Sequence, residues 1–326
     1  MKIEFKNTFL FISILLILVG CSTTKNNVVS NTDKAPRTLG TSLKEGIKTG
    51  AENSNSYLPL LKDKRVGIVT NQAGIIRKIN VISRALPENT TLETTNESLV
   101  DFLIEQNINL QKIYAPEHGF RGTADAGELI VDGKDTKTNL PIISLYGNNK
   151  KPKLEQLEGI DILVFDLQDV GARFYTYVSS LHYVMEACAE NNIPLLVLDR
   201  PNPNGTIIDG PILEKEHKSF VGMHEIPVLH GMTIGEYAKM INGEKWLKDG
   251  IQCNLTVIPC LNYSHDMKYS LPVKPSPNLP NDQSINLYAS LCFFEGTNVS
   301  LGRGTEKQFQ IYGSPFLPES EFDFSF

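Results

Sequence analysis

The feature that most constrains this 326-residue chain is a succession of short, nearly continuous apolar runs separated by longer stretches of helical periodicity. The runs cover residues 66–70, 112–115, 142–145, 162–165 and 195–198, with 255–259 a later candidate. Strands that are apolar on both faces are those buried on both faces, as in parallel sheets. The helical stretches, about 99–106, 177–189 and 233–241, alternate with them, and Gly243 offers a stop after the last. This alternation predicts an α/β fold with parallel strands joined by crossover helices. The stretch from Lys78 to Asn96, rich in Thr, Asn and Glu, reads as a variable surface loop. Residues 274–280, Lys-Pro-Ser-Pro-Asn-Leu-Pro, are too proline-rich for either regular element and read as an extended boundary. A second, smaller lobe of fewer than fifty residues would follow to Phe326, small for an independent core, and we expect it to be truncated.

In an open parallel sheet, ligands bind beyond the carboxyl ends of the strands, so the residues just after each run carry the chemistry. After Ala115 comes Pro116-Glu117-His118-Gly119-Phe120-Arg121-Gly122, followed by Asp125 and Glu128. After Phe165 comes a segment containing Asp166, Asp169, Arg173 and Tyr175, and after Leu198 come Asp199, Arg200 and Asn202. Carboxyl groups for proton transfer, arginines for an acidic substituent and aromatic faces for sugar rings suit a carbohydrate site. Glycoside hydrolysis uses a pair of carboxyl groups, one of them protonated as general acid. Glu117 is the first choice for the acid, because it stands at a strand end beside a glycine-containing loop that lets backbone approach a ligand. The block 293–305 places Glu295, Asn298 and Arg303 among three glycines, and Glu295 is a candidate partner for Glu117. Taken singly, each of these carboxylates also has a plain reading as a loop charge or a strand-end cap.

Other chemistries lack their signatures. There is no Gly-x-Ser-x-Gly elbow, no Gly-x-Gly-x-x-Gly after the first run and no phosphate loop, so neither a serine hydrolase nor a nucleotide cofactor is indicated. His224-Glu225 lacks a second histidine at Val228, so no zincin helix is present and we assign no metal. Cys188, Cys253, Cys260 and Cys292 have no metal or redox spacing. Buried free thiols are the expectation, with a Cys253–Cys260 bridge open in an oxidising compartment.

The amino terminus has its own logic. Lys2 and Lys6 precede an apolar run from Phe9 to Val19 that is too short to span about 30 Å of hydrocarbon, the layout of a secretory signal. Leu18-Val19-Gly20-Cys21 resembles a bacterial lipobox, which implies lipidation of Cys21 and a membrane partner through that lipid; two or three acyl chains anchor stably where one does not. We therefore divide the chain into a signal peptide (1–20), a polar tether (21–57), the α/β domain (58–273) and the start of the C-terminal lobe (274–326). Formal charge is −6, or −7 once residues 1–20 are removed, and no basic block argues for nucleic acid.

With these residues assembled, the chain resembles the exo-β-N-acetylmuramidase family, the NamZ-type enzymes of glycoside hydrolase family 171. The matching segments are 67–74, 116–122, 166–177, 199–205, 209–211, 227–233 with Gly235-Glu236, 275–280 and 294–305, co-linear from about Gly67 to Phe316. The resemblance implies a Rossmann-like parallel sheet with helices on both faces, a smaller C-terminal lobe and a cleft between them. It implies release of N-acetylmuramic acid from non-reducing ends of peptidoglycan fragments, with no cofactor and with Glu117 catalytic. The second carboxylate is expected from Glu295, Asp166 or Asp169. Substrate contacts are expected from His118, Arg121, Asp169, Arg173, Tyr175, Asp199, Arg200, Asn202, Asn298 and Arg303, with Arg173, Arg200 or Arg303 on the lactyl carboxylate, where a bidentate guanidinium fits. The same rim also suits a non-catalytic envelope lipoprotein that captures a muropeptide, and a third reading is a metal-dependent hydrolase of another envelope polymer.

Overall fold

The computed structural model describes residues 46–81, 92–121, 132–318 and 320. The signal peptide, Cys21, most of the tether, Asp125 and Glu128 lie outside the described residues. In chain order the strands are β1 (Val66–Thr70), β2 (Ile75–Val81), β3 (Leu92–Ser98), β4 (Leu110–Ala115), β5 (Gly133–Lys134), β6 (Pro141–Ser144), β7 (Ile162–Asp166), β8 (Leu195–Leu198), β9 (Ile208–Asp209), β10 (Leu229–His230) and β11 (Leu255–Ile258). The helices are α1 (Ser54–Leu61), α2 (Leu99–Glu105), α3 (Leu154–Leu157), α4 (Tyr177–Glu190), α5 (Ile234–Gly243) and α6 (Asp282–Leu291).

Seven strands form the main sheet in the order β11-β8-β7-β1-β4-β6-β5, all parallel except the short edge strand β5. The chain builds outward from β1 through β4 and β6, then returns to lay β7 on the other side of β1. That reversal makes the space beyond the ends of β1 and β7 a topological switch point, where open α/β sheets bind ligands. Side chains alternate across the sheet into two cores. Ile68, Ile113, Val164 and Leu196 pack with Tyr57, Leu61, Leu99 and Leu103 of α1 and α2 on one face. Val69, Tyr114, Leu163, Phe165, Leu195 and Val197 pack with Leu181, Val184 and Met185 of α4 and Tyr237 of α5 on the other. All five residues of β1 and of β7 are buried, so both faces are covered, which is why these runs are continuously apolar.

Four expectations need correcting. Residues 78–81 and 92–96, assigned to a surface loop, belong to β2 and β3, an antiparallel pair with Ile75 opposite Ser98 and Lys78 opposite Thr95. Thr94, Thr95 and Asn96 are exposed, and a two-stranded ribbon with solvent-facing residues needs no apolar run to reveal it. The tether ends before residue 57: Ala51 and Tyr57 are fully buried, Tyr57 donates to the Ala51 carbonyl, and Lys48 bridges to Leu261. Gly243 is the last residue of α5 rather than its stop. Lastly, the stretch from 274 onward does not form a separate lobe over the described residues, because Leu279, Ile285, Tyr288, Leu301 and Phe309 pack into the same core as α4 and β7. Cys188, Cys253, Cys260 and Cys292 are free thiols. No helix among the described residues is long and apolar enough to cross a membrane.

Candidate active site

The turn that leaves β4 sets the geometry. Gly119 donates its amide to the Pro116 carbonyl, closing Pro116-Glu117-His118-Gly119, and His118 takes φ +70°. A side chain rarely occupies that region, so the turn holds backbone strain at the point where Glu117 is presented. Both carboxylate oxygens of Glu117 are engaged: the Tyr146 hydroxyl donates to Oε1 at 3.2 Å and the Thr176 hydroxyl to Oε2 at 3.0 Å. Behind them the Tyr177 hydroxyl donates to the Glu117 carbonyl at 3.4 Å and accepts from Asn71 Nδ2 at 2.7 Å. Burial pushes the Tyr177 phenol far up, so it stays a donor. Four strand ends therefore converge on one residue: Asn71 follows β1, Glu117 follows β4, Tyr146 follows β6, and Thr176 and Tyr177 lie where the loop after β7 meets α4.

The cleft at this point encloses about 140 Å³ and is lined by Glu117, His118, Tyr175, Thr176, Tyr177 and Ser276 among others, with Glu295 and Arg303 on the opposite side of the sequence. Phe174, Tyr175, Tyr288 and Phe309 supply aromatic walls, linked edge to face at centroid distances of 5.2–5.9 Å. Tyr175 is anchored by its hydroxyl, which donates to the Pro275 carbonyl at 3.1 Å. Glu295 is paired with Arg303 and accepts from the Cys292 thiol at 2.8 Å. Burial, reinforced by Glu295, pushes the Cys292 thiol up and keeps it protonated as that donor.

Of the residues singled out from sequence, Glu117, His118, Tyr175, Glu295 and Arg303 meet at this cleft. The others are placed elsewhere. Asp166, expected as a possible second carboxylate, has no exposed surface and forms a two-point pair with Arg200, Nε to Oδ1 at 2.6 Å and Nη2 to Oδ2 at 3.0 Å. Burial opposes the charge on Arg200, but the Asp166 carboxylate outweighs it and holds the guanidinium above its ordinary range. A third guanidinium bond, to the Ile75 carbonyl, completes a buried clamp, so neither member is free to meet a sugar. Asp199 accepts from the Gly235 amide, the Arg200 amide and the Thr233 hydroxyl, which makes it a cap for the start of α5 rather than a ligand. Asp169 accepts from the Gly171 amide and lies 3.5 Å from His230, and Asn202 ties the loop after β8 to the Met232 carbonyl. The Arg173 guanidinium donates to the Pro211 and Ile226 carbonyls, and burial lowers its pKa. Arg121 pairs with Asp135 and stacks on Phe120, and Asn298 is exposed without lining the cleft.

Sequence reasoning missed Asn71, Tyr146 and Thr176. The strand-end rule that found Glu117 applies equally after β1 and β6, and would have found the first two. Among the described residues, one group of metal-capable side chains lies close together, the exposed Glu214, Glu216 and His217, and none of these lines the cleft.

An open, doubly wound sheet with two carboxyl groups and aromatic walls at its switch-point cleft defines a Rossmann-like α/β protein with an acidic, aromatic-walled site. Residues 66–283 match the family described as exo-beta-N-acetylmuramidase NamZ, N-terminal, and residues 286–323 its C-terminal counterpart, so the chain belongs to the NamZ exo-β-N-acetylmuramidase family. It is 44% identical over 290 residues to the peptidoglycan beta-N-acetylmuramidase NamZ of Bacillus subtilis (strain 168), covering 87% of this chain and 65% of that protein. Two crystal structures of DUF1343 family proteins from Bacteroides fragilis NCTC 9343 share the fold. One has a TM-score of 0.71 at 47% identity, covering 83% of this chain and 68% of the other. The second has a TM-score of 0.69 at 36% identity, covering 84% and 67%.

Proposed function

We propose that the protein is an exo-acting glycosidase that hydrolyses the β-1,4 linkage of non-reducing-end N-acetylmuramic acid in peptidoglycan fragments. The observation that carries this reading is the shared cleft of Glu117 and Glu295, with Glu117 held by two hydroxyl donors at a strained turn. Glu117 is the general acid, protonating the glycosidic oxygen as the bond to the anomeric carbon breaks. Glu295 supports the positive charge that develops on the sugar, or activates the water that replaces the leaving group. Arg303, which pairs with Glu295 and lines the same cleft, is the arginine we assign to the lactyl carboxylate. Membership of a family named for this activity supports the reading.

The test is incubation with a muramyl-glucosamine disaccharide. Wild type is expected to release free N-acetylmuramic acid, and Glu117→Gln to fall by about 10²–10⁴-fold, the range that positioned proton transfer supplies. Stoichiometric binding with the disaccharide intact would turn the reading into one of capture without catalysis.

We further propose that the chain is exported and anchored in the bacterial envelope by lipid on Cys21, on the strength of the signal-like residues 1–20 and the Leu-Val-Gly-Cys ending. Radiolabelled fatty acid is expected to enter the wild-type protein and not Cys21→Ser, and equal labelling of both would sink this.

A further inference from the structure

A second concavity lies beside the cleft on the same loop. Val221 lines the cleft, while Ser219, Phe220 and Met223 line a groove of about 760 Å³ on the other side. Its floor is formed by His182 and Tyr183 of α4 and by His224 and Trp246. From Thr176 at the start of α4 to His182 is six residues, about 9 Å along the axis at 1.5 Å per residue. The two concavities therefore meet at the loop 219–223 and at the first turns of α4.

The groove has the chemistry for an acidic sugar. Phe220 stacks on Tyr183 at 6.1 Å and 12°, and Trp246 stacks on His224 at 4.6 Å and 20°, so two partly exposed aromatic side chains are each held in place by a second ring. Such rigid faces are suited to sugar rings. Lys215 and Lys218 stand at the rim and share one carboxylate, Glu225, at 4.0 and 3.1 Å, while Lys150 lies 4.3 Å from the Phe220 ring centre. Among the lining residues, two ammonium groups face one carboxylate. The buried histidines add no charge: His224 is pushed down to about 3, and His182 is also lowered, in both cases mainly by burial. His182 and His224 instead hydrogen bond to each other at 3.0 Å and on to the Tyr237 hydroxyl at 2.9 Å, which fixes the wall that Trp246 stacks on.

Resting on the muramidase reading above, we propose that this groove binds an internal N-acetylmuramic acid residue of the same glycan strand, its ring on Phe220 and Trp246 and its lactyl carboxylate on Lys215 and Lys218. The groove is then a strand-side subsite that makes the protein favour peptide-free strand ends, whose lactyl groups are free carboxylates, over short fragments.

The test compares a muramyl-glucosamine disaccharide with the tetrasaccharide made of two such units, in kinetics and in calorimetric binding. Exposed ion pairs contribute little each, so the expected advantage is modest: a KM for the tetrasaccharide about fivefold lower. That advantage is expected to vanish in the Lys215→Ala/Lys218→Ala double variant and in Phe220→Ala, with disaccharide kcat, KM and thermal midpoint unchanged. It should also weaken in high salt and disappear when the internal lactyl carboxylate is amidated. Equal KM for the two substrates in wild type, or an advantage that survives both variants, overturns the proposal. Binding relieved by an acidic stem peptide but not by the tetrasaccharide would assign the groove to peptide and overturn it as well. If the disaccharide is not cleaved at all, the muramidase reading fails, and the calorimetric comparison of tetrasaccharide binding to wild type and the lysine variant still decides the groove.

Discussion

The Glu117 carboxylate owes its orientation to two hydroxyls that the strand ends deliver. A neutral hydrogen bond contributes about 0.5–1.5 kcal/mol net, and about 1.4 kcal/mol is a factor of ten in rate. Tyr146→Phe and Thr176→Val are each expected to lower kcat for the disaccharide about threefold to tenfold with KM little changed, because they position the acid without holding the sugar. A drop in thermal midpoint with unaltered kcat would mean that both residues are merely structural. The Asp166–Arg200 pair predicts the opposite pattern. Arg200→Ala strands a carboxylate that has no exposed surface, and breaking a buried pair costs about 3–5 kcal/mol. Urea unfolding is expected to show that loss, and an effect below about 1 kcal/mol would mean that water reaches the site. Both residues had been read from sequence as candidates for the rim. Arg200 does follow β8, and Asp166 is the last residue of β7, but sequence does not say whether two opposite charges at neighbouring strand ends face a ligand or each other.

At the scale of elements, α5 shows how a site-like residue is used to hold a helix. Thr233 caps it, accepting from the Glu236 amide while the Glu236 side chain accepts from the Thr233 amide, and Asp199 accepts from Thr233 and Gly235. A β-carbon at residue 235 would lie 2.6 Å from the Asp199 carboxyl carbon, so glycine is what permits this approach. Burial outweighs the three hydrogen bonds and pushes Asp199 up to about 6. Between about pH 4 and pH 6 the folded protein then holds a proton that the unfolded chain has released. This group's contribution to stability is fully present below about pH 4 and is lost as pH rises through 6, at up to about 1.4 kcal/mol per pH unit. Relative to Asp199→Asn, wild type is expected to lose stability across that window in denaturant titrations. Parallel profiles would place the Asp199 pKa near its ordinary value. The capping box itself, Thr-x-x-Glu before an apolar stripe, is a local pattern that sequence reveals. The hydrogen bonds that Thr233 and Gly235 donate to Asp199, 34 residues before Thr233, are not local.

Over the whole molecule, the part that follows the proline-rich stretch shares its core with the sheet. Phe309 is 1% exposed and packs with Tyr288 in the core that contains α4. Phe309→Ala is expected to cost about 3–5 kcal/mol, and fluorescence of the single tryptophan, Trp246, and far-ultraviolet dichroism should shift together in one transition. Two separated transitions would mean that the segment folds on its own. This shared packing also gives the cleft its second wall, since Glu295 and Arg303 reach Glu117's side only because Tyr288 and Phe309 are buried there.

What the sequence by itself determined was the α/β class, the six parallel strands and the turn that carries Glu117, because two-faced burial forces continuous apolar runs and strand ends are where loops must carry chemistry. Only the tertiary structure decided which polar residues meet the cleft and which are consumed in caps and buried pairs. It also decided that the β2–β3 ribbon exists and that residues 274–318 join the main core. The physical reason is the same in each case: pairing between charges or rings far apart in the chain depends on where the fold aims them, and one-dimensional spacing carries no record of that direction.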